Sequence, residues 1–306
     1  MSREESIVVT GRNPGTPSAD VEIGVGLART LLAEQHPDLA DLPIRLVETG
    51  WDNVMLRLGD ELAVRMPRRT LAATLIEHEQ RWLPGLAPRL PLPVPVPLRV
   101  GLPGVGYPWR WSVLPWLKGT AADLTLPDAD QGPALAGFLR ALHTPAPPDA
   151  PPNPFRGVPL QQRLPAIAER LERVAHLTDC ITPVVCNVWE QALAAPIDVA
   201  PTWLHGDLHS RNVLVEKGAL SAVIDWGDMT QGDRATDLAA IWTLLPEATS
   251  RAAAIEAYGP ASQATWQRAR GWAVAFGVML LDSGIVNDAR LAAAGEATLR
   301  RVAEGP

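Results

Sequence analysis

Residues 203–228, WLHGDLHSRNVLVEKGALSAVIDWGD, constrain the fold more than any other stretch, because two short β-rich runs there carry polar residues at one end. The first run, VLV, follows Asn212, and the second run, SAVI, ends immediately before Asp225. The Lys217-Gly218 pair between the runs is typical of a turn. We therefore predict two short strands that bring Asn212 and Asp225 to the same end.

Asp207, Asn212 and Asp225 together match the requirements of phosphoryl transfer. This reaction uses one group that orients the attacking hydroxyl and accepts its proton, and oxygen ligands for magnesium, which neutralises the phosphate charge. Asp207 and Asn212 have the spacing of a D-x-x-x-x-N catalytic loop, and Asp225 follows at the end of a strand. Carboxylate and amide oxygens suit magnesium. We predict Asp207 as the base, and Asn212 and Asp225 as the metal ligands.

The alternation of His205, Asp207 and His209 leaves a second interpretation open. On a strand these three side chains would share a face and could form a zinc site, as in a zinc-dependent hydrolase. The downstream amide and carboxylate favour phosphoryl transfer instead. Taken alone, His209 is typical of a hydrogen-bonded loop histidine.

The pattern H-G-D-x-x-x-x-N followed by I-D-W-G resembles the aminoglycoside phosphotransferase family, whose members are relatives of the eukaryotic protein kinases. The resemblance implies an α+β, two-lobed protein-kinase-like fold, with a small antiparallel β-rich N-terminal lobe and a larger, mostly helical C-terminal lobe. It implies that Asp207 is the catalytic base and that Asn212 and Asp225 bind magnesium, as the chemistry also predicts. It also implies that His205 supports the loop structurally and that Asp237, in GDRATDLAA, braces it.

Three neighbours of these motifs receive other interpretations. Asp233 begins a predicted helix, and a short acceptor there satisfies free backbone donors, so we interpret it as an N-cap. Trp226 is interpreted as a packing residue. Asp228 has no assigned role.

Upstream and downstream of the motif, the sequence divides into a β-rich front and an α-rich back. After a loose tail over residues 1–17, one helix is predicted from Ser18 to about His36, then an antiparallel meander from Ile44 to Met66. A helix over 70–83 and a strand in WRWSVLPWL follow. We place the boundary near residues 116–119, which gives a nucleotide-binding lobe over 1–116 and a helical lobe with the catalytic loop and acceptor site over 117–306. The predicted helices of the second lobe are 129–143, 160–177, 183–194, 234–245, 262–281 and 287–302.

Two segments are rich in proline. PLPVPVPLRV cannot form a central strand, because proline lacks a backbone donor, and it predicts an extended, edge-like connection. Residues 145–159, PAPPDAPPNPFRGVP, are interpreted as a surface connection inside the helical half and not as a domain boundary.

No P-loop motif is present, so the nucleotide-binding residues follow from the resemblance. It places the nucleotide loop at residues 49–53, where Gly50 and Asn53 would let backbone donors approach phosphate. A plain hairpin fits this stretch equally well.

The resemblance also assigns a phosphate-contacting cation and its partner. Arg65, in AVRMP, stands where protein kinases have lysine, and a guanidinium can clamp two phosphate oxygens. A surface cation at a strand end is the other interpretation. Glu79, in an E-x-x-x-L pattern, is preferred to Glu77 as the carboxylate that holds Arg65.

The linker WSVLPWLKG is similar to the family segment that binds adenine through backbone groups. The resemblance places these groups between Leu114 and Leu117, which includes Trp116. Backbone recognition leaves no side-chain signature, so this assignment depends on the resemblance alone.

Composition limits the classes of partner. The 306 residues carry a formal charge of −7, which argues against nucleic-acid binding, since that requires clustered Lys and Arg. No apolar run is long enough to span a membrane, and no signal pattern precedes the fold, so a cytoplasmic enzyme is predicted. The two cysteines fit neither a disulfide framework nor a zinc site.

The predicted activity is transfer of the γ-phosphate of ATP, with Mg²⁺, to a hydroxyl of a small molecule, such as an aminoglycoside or another antibiotic or metabolite, and the candidates include cationic acceptors. Asp282, Asp288 and Glu296 are candidate contacts for an acceptor amine, and carboxylates that only face water are the other interpretation. The alternatives are a catalytically silent nucleotide-binding regulator, or a kinase for choline, homoserine, a macrolide or a protein-bound sugar. The sequence decides neither ATP over GTP nor the oligomeric state.

Overall fold

A five-stranded antiparallel sheet with the strand order β1-β2-β3-β5-β4 forms the N-terminal part of the protein. The structure, a computed structural model, describes residues 18–286 and 288–305, so the predicted tail over 1–17 lies outside the described residues. Alternate residues of β2 are buried, as expected for a strand with one face on a core. The strands of this sheet are β1 Ile44–Thr49, β2 Asn53–Leu58, β3 Leu62–Pro67, β4 Arg99–Gly101 and β5 Trp111–Pro115.

Two helices, α1 Val25–Gln35 and α2 Thr70–Leu86, accompany this sheet. The predicted first helix begins later than expected, at Val25, and Asp20 lies in a bend that precedes it. Its carboxylate accepts hydrogen bonds from the backbone N–H and the hydroxyl of Thr70, both at 2.8 Å, at the start of α2. The segment before α1 therefore provides a hydrogen-bond acceptor at the start of α2.

Eight helices are described in the rest of the chain, with the long helix α9 at their centre. Nearly every residue of α9 from 268 to 281 is buried, because α4, α5 and α10 all pack against it. The larger hydrophobic cluster of the protein is built around α9, and Leu83 and Val94 join it although they precede residue 117. The helices are α3 Gly132–Leu142, α4 Leu160–Val174, α5 Pro183–Ala194, α6 Ala235–Leu238, α7 Ala240–Leu244, α8 Ala248–Tyr258, α9 Gln263–Gly284 and α10 Ala289–Glu304.

Two small antiparallel sheets place the polar motif. The hairpin β8-β9 turns at Lys217 and Gly218, whose φ angles of 52° and 81° suit a tight turn, and β6 pairs with β8. A second pair, β7 with β10, was not predicted from the sequence. The strands are β6 Thr120–Ala121, β7 Thr202–Leu204, β8 Val213–Glu216, β9 Ala219–Val223 and β10 Thr230–Gly232.

The observed architecture is an α+β fold with a β-rich N-terminal part and a mostly helical C-terminal part, as predicted. Two predictions about helices were wrong. The single helix expected over 234–245 is two short helices, and α8 was missed because its Ala-rich sequence lacks a regular apolar pattern. In the described residues, no helix is long and apolar enough to cross a membrane.

Candidate active site

The loop between β7 and β8 is fixed from its buried side by Asp237. The Asp237 carboxylate accepts hydrogen bonds from the backbone N–H groups of His205, at 2.7 Å, and Gly206, at 2.9 Å. Gly206 has a φ of 87°, and a Cβ atom there would lie 2.4 Å from the carbonyl oxygen of Asp228. The loop therefore requires glycine at this position. The contact that the resemblance implied for Asp237 is present.

His205 is fully buried and connects the loop to the end of β9. Its Nε2 lies 2.9 Å from the carbonyl oxygen of Ile224, and its Nδ1 accepts from the backbone N–H of Asp207 at 3.2 Å. Its ring meets the buried indole of Trp226 edge-on, with 4.8 Å between centroids. Both ring nitrogens are engaged, so His205 positions the loop and does not reach a substrate.

The zinc interpretation does not fit this arrangement. Within residues 18–286 and 288–305, no group of three His, Cys, Asp or Glu side chains could hold a metal ion. The ring nitrogens of His205 are hydrogen-bonded to backbone atoms of Ile224 and Asp207. His209 Nε2, in contrast, lies 3.3 Å from Asp207 Oδ2. The two histidines thus serve separate hydrogen bonds, and the alternation of residues that suggested a shared face belongs to a loop and not to a strand.

Asp207 lies in the cleft with both carboxylate oxygens contacted. Asn212 Nδ2 donates to its backbone oxygen at 2.9 Å and to Oδ2 at 3.2 Å, while Arg156 Nη2 donates to Oδ1 at 2.8 Å. Burial raises the pKa of Asp207, but its interactions with His209 and Arg156 outweigh burial and hold this pKa below its usual range. Asp207 is therefore ionised across ordinary assay conditions.

Arg156 was missed by the sequence interpretation. It belongs to the proline-rich segment 145–159, which was interpreted as a surface connection. The segment also packs against β10 and the residue after it, because Thr230 Oγ1 donates to the carbonyl oxygen of Pro151 at 2.8 Å. The backbone N–H of Asp233 likewise donates to the carbonyl oxygen of Gly157 at 3.0 Å. Only the composition of this segment was visible in the sequence, and composition gives no sign of which loop it contacts.

Asp228, which had no assigned role, holds the same segment. Its Oδ1 accepts from Asn153 Nδ2 at 2.7 Å, and its Oδ2 lies 4.0 Å from Arg156 Nη2. Burial raises the pKa of Asp228, the charge of Arg156 opposes this, and the neighbouring Asp207 raises it further. Asp207 and Asp228 thus share one cation, and the cation stays closer to Asp207.

Asp225 follows the end of β9 and faces the β3 strand of the N-terminal part. Its backbone has a φ of 60°, a left-handed conformation that is uncommon outside glycine and clusters at functional sites. Its Oδ1 accepts from Arg65 Nη2 at 2.6 Å, while Arg65 Nη1 lies 3.1 Å from Glu79 Oε1. Asn53, with its amide oriented so that oxygen faces the guanidinium, accepts from Arg65 Nη2 at 3.0 Å.

Glu79, and not Glu77, is the carboxylate beside Arg65. Glu79 is buried on α2, whereas Glu77 is exposed and lies 3.9 Å from Arg110. Burial raises the pKa of Glu79 to about 7, although the charge of Arg65 opposes this change. Burial also opposes the charge of Arg65, but Glu79 and Asp225 together raise the Arg65 pKa. The guanidinium therefore stays charged.

The β1-β2 hairpin and the linker after β5 line the other end of the same cleft. The backbone N–H of Gly50 donates to the carbonyl oxygen of Asn53 at 2.9 Å, and Asp52 forms an ion pair with Arg69. A Cβ atom at Gly50 would meet only the Asn53 carbonyl oxygen, at 3.5 Å, so the hairpin does not require glycine there for space.

The linker prediction needs one correction. The backbone N–H of Trp116 donates to the carbonyl oxygen of Glu61 at 2.7 Å, so it is not available to a nucleobase. Its indole ring stacks under Arg57, whose guanidinium carbon is 3.9 Å from the ring centroid. Leu114 and Leu117 also line the cleft. In the described chain, the N–H of Leu117 donates to no backbone oxygen, which leaves it available.

The oxygen atoms left free by these contacts fit magnesium. Asn212 uses its Nδ2 for Asp207, which leaves its Oδ1 without a donor among the described residues. The Asp225 side chain is 54% exposed, and only its Oδ1 is bonded to Arg65. One carboxylate and one amide oxygen suit magnesium, because this ion keeps several waters and substrate phosphates as ligands.

The cleft joins the nucleotide-side residues to the helical part and has a volume of about 620 Å³. The helical end is lined by three arginines, four apolar residues of α9 or α10, and one serine. It includes Arg156, Arg170, Arg211, Phe276, Met279, Leu280, Ser283 and Leu291.

The three acidic residues expected to contact an acceptor amine do not line this cleft. Asp282 binds Arg170 at 2.7 Å and Arg173 at 2.9 Å, and Asp288 binds Arg211 at 2.6 Å. The other interpretation, carboxylates that only face water, is also wrong for these two aspartates. Glu296 accepts a long hydrogen bond, 3.4 Å, from the hydroxyl of Thr178.

Asp233 is more than the predicted N-cap. Its Oδ1 accepts from the backbone N–H of Ala235 at 3.1 Å, as a cap would. Its Oδ2 also lies 2.6 Å from Arg268 Nε, and both side chains are 2% exposed. This buried ion pair could not be predicted from the sequence, because Arg268 lies 35 residues away on α9.

Comparison with known proteins identifies the family. The sequence model described as the phosphotransferase enzyme family, APH, matches residues 43–272. A comparison with curated proteins gives no match.

Several solved structures share the fold at low sequence identity. The GDP and kanamycin complex of APH(2″)-IIIa is 17% identical, covers 90% of this chain and 98% of its own, and has a TM-score of 0.66. The apoenzyme of macrolide 2′-phosphotransferase MphH from Brachybacterium faecium is 21% identical, covers 89% and 98%, and has a TM-score of 0.59. ADP-bound APH(2″)-Ib is 18% identical, covers 92% and 99%, and has a TM-score of 0.57. Since the family model spans three quarters of the sequence, the chain belongs to the phosphotransferase enzyme family.

Proposed function

We propose that this protein transfers the γ-phosphate of ATP to a hydroxyl group of a small molecule. Family membership and the nucleotide complexes among the similar structures support a nucleotide-dependent phosphotransferase. The observation that carries the proposal for this chain is the convergence of Asp207, Asn212 and Asp225 in one cleft. Their side chains supply a proton acceptor and two free oxygen ligands.

In the proposed reaction, Asp207 orients the acceptor hydroxyl and takes its proton. The hydroxyl oxygen forms a bond to the γ-phosphorus while the bond from that phosphorus to the β-phosphate oxygen breaks, which releases ADP. The proton on Asp207 then passes to solvent. The low pKa of Asp207 makes it a weak base, which is sufficient because phosphoryl transfer depends mainly on positioning and charge stabilisation.

The nucleotide end would use Arg65 for the phosphates, with Glu79 and Asn53 holding the guanidinium. Magnesium, when bound by Asn212 and Asp225, would neutralise charge on the phosphates. We propose that the nucleobase meets the linker through the N–H of Leu117 and not that of Trp116. We also propose that the boundary between the two lobes lies near residue 117 and that the protein is cytoplasmic.

A nucleotide-binding regulator without catalysis is the competing function. Turnover separates the two, so ADP release and phosphate incorporation are measured with MgATP and a panel that includes an aminoglycoside, a macrolide, an amino alcohol, a sugar and a hydroxy acid. The enzyme predicts acceptor-dependent phosphate incorporation that Asp207→Asn removes while MgATP binding persists. Binding of MgATP without incorporation into any acceptor favours the regulator.

A further inference from the structure

The acceptor end of the cleft has a charge pattern that the nucleotide end lacks. Its described lining from α4, α9 and α10 contains an arginine, a serine and apolar side chains, but no carboxylate. The carboxylates that do line the cleft are two in the β1-β2 region and two at the reaction centre. They are Glu48, Asp52, Asp207 and Asp225.

Arg170 is the cation of this wall and is only partly used by the protein. Its Nη1 donates to Asp282 Oδ2 at 2.7 Å and to Ser283 Oγ at 3.4 Å, but Nε and Nη2 have no hydrogen-bond partner among residues 18–286 and 288–305. Its side chain is 31% exposed in the cleft. Nε and Nη2 of Arg170 can therefore donate hydrogen bonds to a ligand.

Arg170 shares Asp282 with Arg173, and Arg173 also pairs with Glu169 at 2.6 Å. Arg173 donates from Nε to Asp282 Oδ1 at 3.0 Å and from Nη2 to Oδ2 at 2.9 Å. This bidentate pair satisfies the carboxylate. Arg173 does not line the cleft, whereas Arg170, one turn earlier on α4, does.

Arg163 adds an independent sign of excess positive charge behind this wall. It lies two turns before Arg170 on α4, and none of the described carboxylates is within ion-pair distance of it. Its Nε is buried without a hydrogen-bond partner. Burial lowers the pKa of Arg163, and the charges of Arg156 and Arg170 lower it further. Three guanidiniums thus repel one another beside the acceptor end.

We propose, given the phosphotransferase activity proposed above, that the acceptor carries an anionic oxygen group, a carboxylate or a phosphate, which Arg170 and Ser283 bind while its hydroxyl reaches Asp207. A planar guanidinium with two free donors suits both anions. Phe276 and Met279 would cover an apolar part of the molecule. An acceptor with several ammonium groups would meet like charges at this wall, which reverses the expectation of a cationic acceptor.

The test measures binding and not turnover, so that it does not depend on the proposed reaction. Protein saturated with magnesium AMPPNP, which fills the nucleotide end, is titrated by calorimetry with gluconate, glucose 6-phosphate, glucose and glucosamine. These probes share a polyol chain and differ in charge. We expect at least one anion to bind at least tenfold more tightly than glucose, and glucosamine to bind no better than glucose. The two anions distinguish a carboxylate site from a phosphate site.

Arg170→Gln should remove this tenfold preference, and Ser283→Ala should reduce it. Arg173→Gln is the matched control, since it disturbs the same Asp282 pair from outside the cleft, and it should keep the preference. Tighter binding of glucosamine than of the anions would overturn the proposal, as would an anion preference that survives in Arg170→Gln. Absence of saturable binding by gluconate, glucose 6-phosphate and inorganic phosphate alike would also overturn it. Failure of phosphate transfer to every acceptor would instead reject the proposed function. The binding measurements would still show whether Arg170 prefers an anion.

Discussion

Arg156 Nη2 and Asp207 Oδ1 lie 2.8 Å apart, so the carboxylate that we propose as the base is paired with a cation from a segment 51 residues earlier in the chain. A buried carboxylate is stable in its charged form only when charges or hydrogen bonds compensate for lost water. Arg156 and His209 supply that compensation on separate oxygens of Asp207.

Arg156→Gln should lower kcat by roughly 100-fold, a size typical of disturbed general-base catalysis. The sign of the pH effect follows from the Asp207 pKa. Burial raises this pKa and Arg156 lowers it, so removal of Arg156 raises the Asp207 pKa and moves its acid limb of kcat toward the assay range. The kcat profile is measured from pH 4 to 9, with exposed Arg140→Gln as control. The wild type and Arg140→Gln should show no loss of kcat from Asp207 protonation in this range, and the same acid-side profile in Arg156→Gln contradicts the role of Arg156.

Asp225→Asn should weaken the magnesium-dependent binding of ATP while it leaves the fold intact. Asparagine tolerates the left-handed backbone at this position, so the change removes mainly the charge. In the wild type, MgATP at about 100 times its Kd should stabilise the protein by about 2.7 kcal/mol. Thermal unfolding with and without MgATP measures this gain, which should shrink in Asp225→Asn. Exposed Asp60→Asn should keep the full gain, and an equal gain in both variants rejects a magnesium role for Asp225.

Glu79→Gln should change how stability depends on pH. The folded protein raises the pKa of Glu79 from 4.5 to about 7, so the folded state holds this proton more tightly than the unfolded chain. The free energy of unfolding of the wild type, relative to Glu79→Gln, should therefore fall by roughly 1–3 kcal/mol between pH 4.5 and 7 and stay constant above that range. Urea unfolding at several pH values measures the difference. Glu77→Gln, on the exposed face of the same helix, should show no such trend.

Asp233→Ala tests the ion pair with Arg268 against the N-cap interpretation. Loss of a cap costs about 1 kcal/mol, whereas removal of one partner of a buried ion pair costs about 3–5 kcal/mol. Arg268 keeps its contact with Asp198 at 3.3 Å, so a loss near the lower end of that range is expected. The larger loss is expected, because both side chains are 2% exposed. Urea unfolding gives the loss, and the double variant Asp233→Leu with Arg268→Met should recover much of it. A loss near 1 kcal/mol with no recovery would favour the cap alone.

The part of the site that could be predicted from the sequence lies on short, regular elements. Asn212 and Asp225 were predicted at one end of two strands, and the hairpin turn at Lys217 and Gly218 brings them there. Glu79 was preferred to Glu77 as the partner of Arg65, and helix geometry buries only Glu79. The spacing of short strands was sufficient for Asn212 and Asp225, and the E-x-x-x-L resemblance was needed to choose Glu79.

The remaining site residues depend on contacts between distant segments. Arg156 lies in an irregular stretch, and Arg170 lies on a helix whose inner face is decided by packing against α9. Asp282 and Asp288 were expected as contacts for an acceptor amine, and their arginine partners could not be predicted from the sequence. Each partner lies more than 70 residues away. A single sequence contains no pattern that identifies two oppositely charged residues so far apart in the chain as partners.

The proline-rich segment that carries Arg156 also bears on the entropy of the active site. Residues 145–159 contain seven prolines, each of which fixes one backbone dihedral angle before folding begins. A connection without regular structure would ordinarily lose much conformational entropy when it is held against a catalytic loop. Here the unfolded segment samples fewer conformations, so less entropy is lost when Arg156 reaches Asp207. The arginine is thus preorganised by its own covalent surroundings, and glycine in place of the exposed Pro152 and Pro154 should make the active site more mobile while the contact between Arg156 and Asp207 remains possible.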